Sequence, residues 1–119
     1  MKHIATASLV IIAVGLSGCV TTEDLRAKKA LIDVSSSKPS REIAVCITER
    51  WKGSGIFGMK MDVDNAILAD GYAVSVKHQQ VVQMLADVRE AGTGSTTKFY
   101  KPGFVAATGK FESAVRDCQ

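Results

Sequence analysis

The chain has 119 residues, 46% of them hydrophobic and 23% charged, and its formal net charge is +3. This length allows one small domain, and so weak a positive charge does not indicate nucleic-acid binding. The longest apolar run, residues 4–16, is shorter than the roughly 20 apolar residues that a transmembrane helix needs.

The N-terminus has the pattern of an export signal, because Lys2 precedes a short apolar run. The run ends in Leu16-Ser17-Gly18-Cys19, which resembles the lipobox of bacterial lipoproteins. The resemblance implies cleavage before Cys19, diacylglycerol on its thiol and acylation of the new amino terminus with fatty acids such as palmitate. In the alternative interpretation, the signal is an ordinary secretory one and Cys19 is incidental.

The lipobox also predicts how the chain is divided and where in the cell it is located. We expect a signal peptide at 1–18, a lipidated cysteine with its tether at 19–30, and one domain at 31–119. The polar segment 20–30 predicts a flexible tether of roughly 15–20 Å, which could include one fraying helical turn. Val20 and Thr21 stand where an Asp would favour the inner membrane, so by analogy we expect the periplasmic side of the outer membrane.

The first half of the domain combines a short strand at 31–34 with a helix. Ser40 is a suitable N-cap, and Gly53 ends the helix that starts at Arg41. Apolar side chains recur at helical spacing and predict one buried face. These residues are Ile43, Cys46, Ile47 and Trp51.

The second half of the domain reads as strands followed by a helix. Strand-like runs cover 57–63, 67–69, 72–76, 81–89 and 95–101, with a hairpin turn at Asp70-Gly71. In the fourth run, Val82, Met84, Ala86 and Val88 should share one face. The last helix carries an apolar stripe from Phe111 to Cys118, which Phe104 and Ala107 extend backwards.

The order (β)-α-β-β-β-β-α predicts an α+β fold. A small antiparallel sheet of about four to five strands with two helices on one face satisfies it with short connections. If Cys19 carries lipid, Cys46 and Cys118 remain as a pair on the apolar faces of the two helices. In an oxidising compartment we expect a disulfide between them, the alternative being two buried free thiols.

The domain resembles a group of small, largely uncharacterised lipoproteins of Gram-negative bacteria, some of them carried on prophages. The resemblance implies a lipid anchor, a two-cysteine clamp and a small α+β domain, but no biochemical activity. It rests on short motifs: Ser37-Lys38, Ile43-Ala44-Val45-Cys46-Ile47, Trp51, Asp70-Gly71-Tyr72-Ala73-Val74, Asp87-Val88, Gly94-Ser95 and Ala114-Val115-Arg116-Asp117-Cys118.

Other candidate sites favour structural interpretations. His78 has no nucleophile motif beside it. Asp62, Asp64 and Asp70 lack the glycine and terminal glutamate of a calcium loop. The turn at 92–95 is followed by a strand pattern, whereas a phosphate loop has a lysine and then a helix. We therefore expect no catalytic, cofactor or metal site.

The residues left over are aromatic and basic. Trp51 should be a core residue rather than a ligand platform, and Tyr72, Phe99 and Tyr100 should pack on the sheet. The basic residues are Lys28-Lys29 and Lys98/Lys101. They could touch anionic lipid or peptidoglycan but are more typical of a solvated surface.

These observations favour a non-enzymatic envelope lipoprotein with a structural or protein-interaction role. Its partners would be the membrane, through the lipid anchor, and an unidentified envelope protein. The alternative is a small-ligand or cell-wall binding module that uses the sheet face opposite the helices. An exposed aromatic cluster there would favour binding, and a cleft holding His78 would favour an enzyme.

Overall fold

A computed structural model describes residues 20–55 and 61–119. The predicted signal peptide 1–18, the lipidation site Cys19 and part of the predicted strand 57–63 lie outside these residues. The elements in chain order are α1 Thr22–Arg26, β1 Ile32–Ser36, α2 Ser40–Lys52, β2 Asp62–Leu68, β3 Gly71–His78, β4 Val81–Ala91, β5 Gly94–Tyr100 and α3 Gly109–Asp117.

The five strands form one antiparallel sheet in the order β1-β5-β4-β3-β2. Strands β2 to β5 follow one another as a meander, so each pairs with its neighbour in the chain. Helix α2 carries the chain across the sheet from β1 at one edge to β2 at the other. The predicted α+β class and antiparallel sheet are confirmed.

Helices α2 and α3 cover one face of the sheet, as predicted. Alternate strand residues such as Val74, Met84 and Phe99 are fully buried beneath them. Trp51 of α2 is also fully buried, and its ring packs edge-on against Phe99 and Phe111. Its indole N–H donates to the Phe111 carbonyl at 3.1 Å, so the polar atom of this core side chain is satisfied.

The opposite face carries a smaller core together with α1. Leu25 of α1 is fully buried there against Ala73, Val82, Leu85 and Tyr100. The segment predicted as a flexible tether is therefore, from Val20 onward, docked on the sheet. Burial of one leucine, worth about 1.5–3 kcal/mol, helps to oppose the entropy that ordering this segment costs.

A β-bulge corrects the predicted pattern of β4. Val76 pairs with Met84, but the next residue, Lys77, pairs with Val82, so β4 contains one extra residue. This extra residue turns Val82 to the α1 face, whereas Met84, Ala86 and Val88 face the long helices. The prediction of a single face was wrong for Val82.

Two turn regions also differ from expectation. The β2–β3 turn lies at Ala69–Asp70, and Gly71 already belongs to β3, where a side chain would meet the Val88 carbonyl oxygen of β4. The last helix begins at Gly109, and Phe104 is 67% exposed in the loop before it. Phe104 therefore does not extend the buried stripe, because the chain at Ala107 has a positive φ of 59° that interrupts a helix.

Candidate functional site

The most developed polar cluster lies on the α1 face of the sheet, around Asp87 of β4. Asp87 is only 3% exposed, and both of its carboxylate oxygens accept hydrogen bonds from Arg26. The Arg26 Nε–Oδ2 distance is 2.7 Å and the Nη2–Oδ1 distance is 2.8 Å. This two-bond fork is the strong form of a charge-assisted contact, and it ties α1 to the centre of the sheet.

A capping box starts α1 and so places Arg26. The Asp24 backbone N–H donates to the Thr21 hydroxyl at 3.2 Å, while the Thr21 N–H donates to the Asp24 carboxylate at 3.0 Å. These two bonds satisfy backbone donors at the helix start. The hydrogen bond from the Thr21 N–H also lowers the pKa of the Asp24 carboxyl. Leu25 then points into the sheet, and Arg26 follows beside Asp87.

A shallow cleft of about 230 Å³ opens beside this pair. Arg89 contributes a second guanidinium, with Nη2 at 4.0 Å from the Asp87 carboxylate, and it also pairs with Asp70. The cleft is lined by Arg26, Asp87, Arg89, Thr96, Lys98 and Tyr100. Its volume suits one small polar group rather than a large organic ligand, because ligand pockets typically measure about 300–1,000 Å³.

Two groups in the cleft, Arg26 and Tyr100, have raised pKa values. Asp87 accepts hydrogen bonds from Arg26, and these raise the pKa of that guanidinium further. Burial, followed by the nearby Asp87 charge, raises the pKa of Tyr100 above its usual value. Tyr100 therefore stays a neutral hydroxyl at physiological pH.

This arrangement is suited to holding groups in place. Each Asp87 oxygen accepts one hydrogen bond from Arg26, so the carboxylate is fixed in position and its charge is compensated. Because burial raises its pKa, Tyr100 keeps its proton and can donate a hydrogen bond at physiological pH. The cleft can offer donors from Arg89 and Lys98 to a small anionic or polar group.

The predicted disulfide is confirmed. Cys46 of α2 and Cys118 just after α3 are bonded, with their Cα atoms 5.8 Å apart. Cys118 is 2% exposed and belongs to the main core, so the bridge closes the helical layer rather than forming a surface site. The proposed lipid site Cys19 lies outside the described residues, and lipidation stays a prediction.

The other candidate polar residues are spread over the sheet. His78 is half-buried at the end of β3. Asp62 and Asp64 lie on β2, whereas Asp70 lies in the turn beyond that strand and pairs with Arg89. Among residues 20–55 and 61–119, no group of three His, Cys, Asp or Glu side chains is placed to hold a metal ion.

The aromatic residues divide between the two faces. Trp51 and Phe99 are buried between the long helices and the sheet, and Tyr72 is half-buried against the same core. Tyr100 faces the other way, in the α1 core, and is 7% exposed. In the described residues, the α1 face has charged side chains around Tyr100 and no exposed cluster of aromatic side chains.

The Arg26–Asp87 pair was not predicted from the sequence. The partners are 61 positions apart, and no local pattern connects them over that distance. The available signal was the spacing of Thr21 and Asp24, which marks a helix start just before Leu25. That signal could have shown that the segment is ordered, although not where it docks.

In the part of the chain that the structure describes, no helix is long and apolar enough to cross a membrane. Comparison of the chain with protein-family models, curated proteins and solved structures finds no match in any of the three. The resemblance to Gram-negative lipoproteins stays a prediction.

Proposed function

We propose that this chain is a lipid-anchored protein of the Gram-negative cell envelope with a non-enzymatic role, structural or in protein contacts. The lipobox-like Leu16-Ser17-Gly18-Cys19 supports the anchor. The observation that carries the proposal is the docking of the residues directly after it. The Val20 carbonyl accepts a hydrogen bond from the Val82 N–H at 3.4 Å, so an acyl group on the preceding residue would start beside the folded domain.

A structural or interaction role agrees with how the polar cluster is used. The hydrogen bonds between Arg26 and Asp87 hold α1 against the sheet. The disulfide closes the helical layer on the other face. Both features favour a rigid domain, which suits a role in contacts with an envelope protein. Val20 and Thr21 favour the periplasmic side of the outer membrane.

The lipid anchor is tested by metabolic labelling in a Gram-negative host. The wild-type chain should incorporate an alkyne fatty acid and fractionate with outer-membrane markers, whereas Cys19→Ala should do neither. Cys46→Ala is the matched control, because it removes a cysteine outside the lipobox and should still be labelled. Unlabelled wild-type protein, or undiminished labelling of Cys19→Ala, would refute the lipid anchor.

A second candidate function is binding of a small ligand or of the cell wall, and the cleft beside Arg89 and Lys98 favours it. Co-sedimentation with purified peptidoglycan tests it. Binding that falls at least fivefold in Arg89→Gln/Lys98→Gln, but not in Arg50→Gln, would support this function. Arg50 is a suitable control because its ion pair with Asp117 lies outside the cleft and is exposed. Equal sedimentation of all variants would reject the cleft as the binding site.

A further inference from the structure

One end of the sheet combines exposed apolar side chains with lysines and with the point where the chain before Val20 joins the domain. We call it the anchor end. It comprises the starts of β1, β2 and β4 and the ends of β3 and β5, which the antiparallel pairing brings together. Val20 is hydrogen-bonded to Val82 at this end, so the part of the chain before residue 20 leaves the described structure here.

Two of the four large apolar side chains that are exposed in the described residues also belong to this end. Leu31 is 54% exposed directly before β1, and its N–H bonds to the Phe99 carbonyl near the end of β5. Phe104 is 67% exposed in the loop that leaves β5 at Tyr100. An exposed phenylalanine and leucine are the side chains that interfacial segments insert at the boundary between headgroups and acyl chains.

Cations also belong to the anchor end. Lys77 lies one residue before the end of β3, with Asp62 opposite it. Lys101 directly follows β5, and its ammonium donates to the Thr108 hydroxyl at 2.9 Å. Lys28 and Lys29 are exposed in the connection that leads to Leu31. Lysines beside apolar side chains suit a membrane surface because they can reach anionic headgroups while the apolar groups enter the interface.

The two exposed apolar residues elsewhere provide a contrast. Ile67, 83% exposed, lies near the opposite end of β2, next to the β2–β3 turn. Val45, 48% exposed, is in the middle of α2. Neither is close to the point where the chain before Val20 departs.

We propose that the anchor end of the sheet lies directly on the bilayer surface, with Phe104 and Leu31 entering the interface. This inference rests on the proposed lipidation of Cys19. A residue joined to Val20 by one peptide bond has its Cα about 3.8 Å away, so acyl chains that start there draw this end, and no other, to the membrane. The docked α1 then sets the orientation of the domain instead of allowing free rotation on a tether.

Depth-dependent fluorescence quenching tests the orientation in the full-length protein. The lipidated protein is reconstituted in vesicles of phosphatidylethanolamine and phosphatidylglycerol, with or without bromine on the acyl chains. Phe104→Trp places an indole at the anchor end, and Ile67→Trp is the matched control at the other end. Trp51 is buried in both variants and contributes the same background.

We expect brominated chains to quench the added fluorescence of Phe104→Trp at least threefold more than that of Ile67→Trp. Equal quenching of the two variants, in protein that floats with the vesicles, would overturn the proposed orientation and leave the lipid anchor standing. If the wild-type protein does not float with vesicles, the lipid anchor fails and the orientation fails with it. A Leu25→Ser variant should still float but lose the difference, because α1 no longer fixes the domain.

Discussion

Removing the Cys46–Cys118 bridge should destabilise the domain clearly. The bonded residues are 72 positions apart, for which the chain-entropy relation gives about 4 kcal/mol, and loss of a native disulfide typically costs about 2–5 kcal/mol. Against a total stability of about 5–15 kcal/mol this is a large fraction. Alanine is the better replacement for Cys118, which is 2% exposed, because serine would bury an unpaired hydroxyl.

Urea unfolding measures this loss, since Trp51 lies in the core between Phe99 and Phe111 and reports its opening. We expect Cys46→Ala and Cys118→Ala each to lower the free energy of unfolding by about 2–4 kcal/mol, which moves the urea midpoint by roughly 1–2 M. The double variant should match the single ones, because all three lack the same bond. An unchanged midpoint, or a double variant that loses the sum of the two, would show that the bridge does not stabilise the domain in this way.

Three further predictions concern the sheet and its α1 face. Arg26→Gln should lower the free energy of unfolding by about 1.5–3 kcal/mol, because it removes charged hydrogen bonds from the buried Asp87. Amide hydrogen exchange in β4 should become faster, and adding Asp87→Asn should recover part of the lost stability. Folding raises the pKa of Tyr100, so the native state keeps its proton to higher pH than the unfolded chain, and stability should fall as the pH rises above about 10. In thermal melts at alkaline pH, the melting temperature of Tyr100→Phe should fall less steeply with pH than that of the wild type. An equal fall in the two proteins would contradict this. Gly71→Ala should cost about 1–3 kcal/mol by clashing with β4, whereas Gly103→Ala, which meets open space, should be nearly neutral in the same thermal melts.

Periodicity predicted the helical layer well, because its residues repeat at helical spacing over three turns. Ile43, Ile47 and Trp51 are all fully buried on one face of α2. The disulfide could be predicted for a related reason, since Cys46 and Cys118 each lie on such a stripe. In both cases the side chains that the sequence pattern places on one helix face are the side chains that the tertiary structure buries.

The α1 face could not be predicted in the same way. Helix α1 has five residues, and its single leucine gives no period to read. Asp87 stands between apolar residues of β4 and has the spacing of a solvated position, yet it is buried because Arg26 neutralises it. Val82 changed face through a bulge, which depends on how two strands pair and has no signature in one strand alone.

Cys19 is, in our proposal, the lipidated N-terminus of the mature protein. Mass spectrometry of the N-terminal peptide, from full-length protein expressed in a Gram-negative host and extracted from membranes, tests it most directly. We predict a peptide that begins at Cys19 and carries thioether-linked diacylglycerol together with an amide-linked acyl chain. A mature protein that begins at another residue, or an unmodified Cys19, would contradict the account.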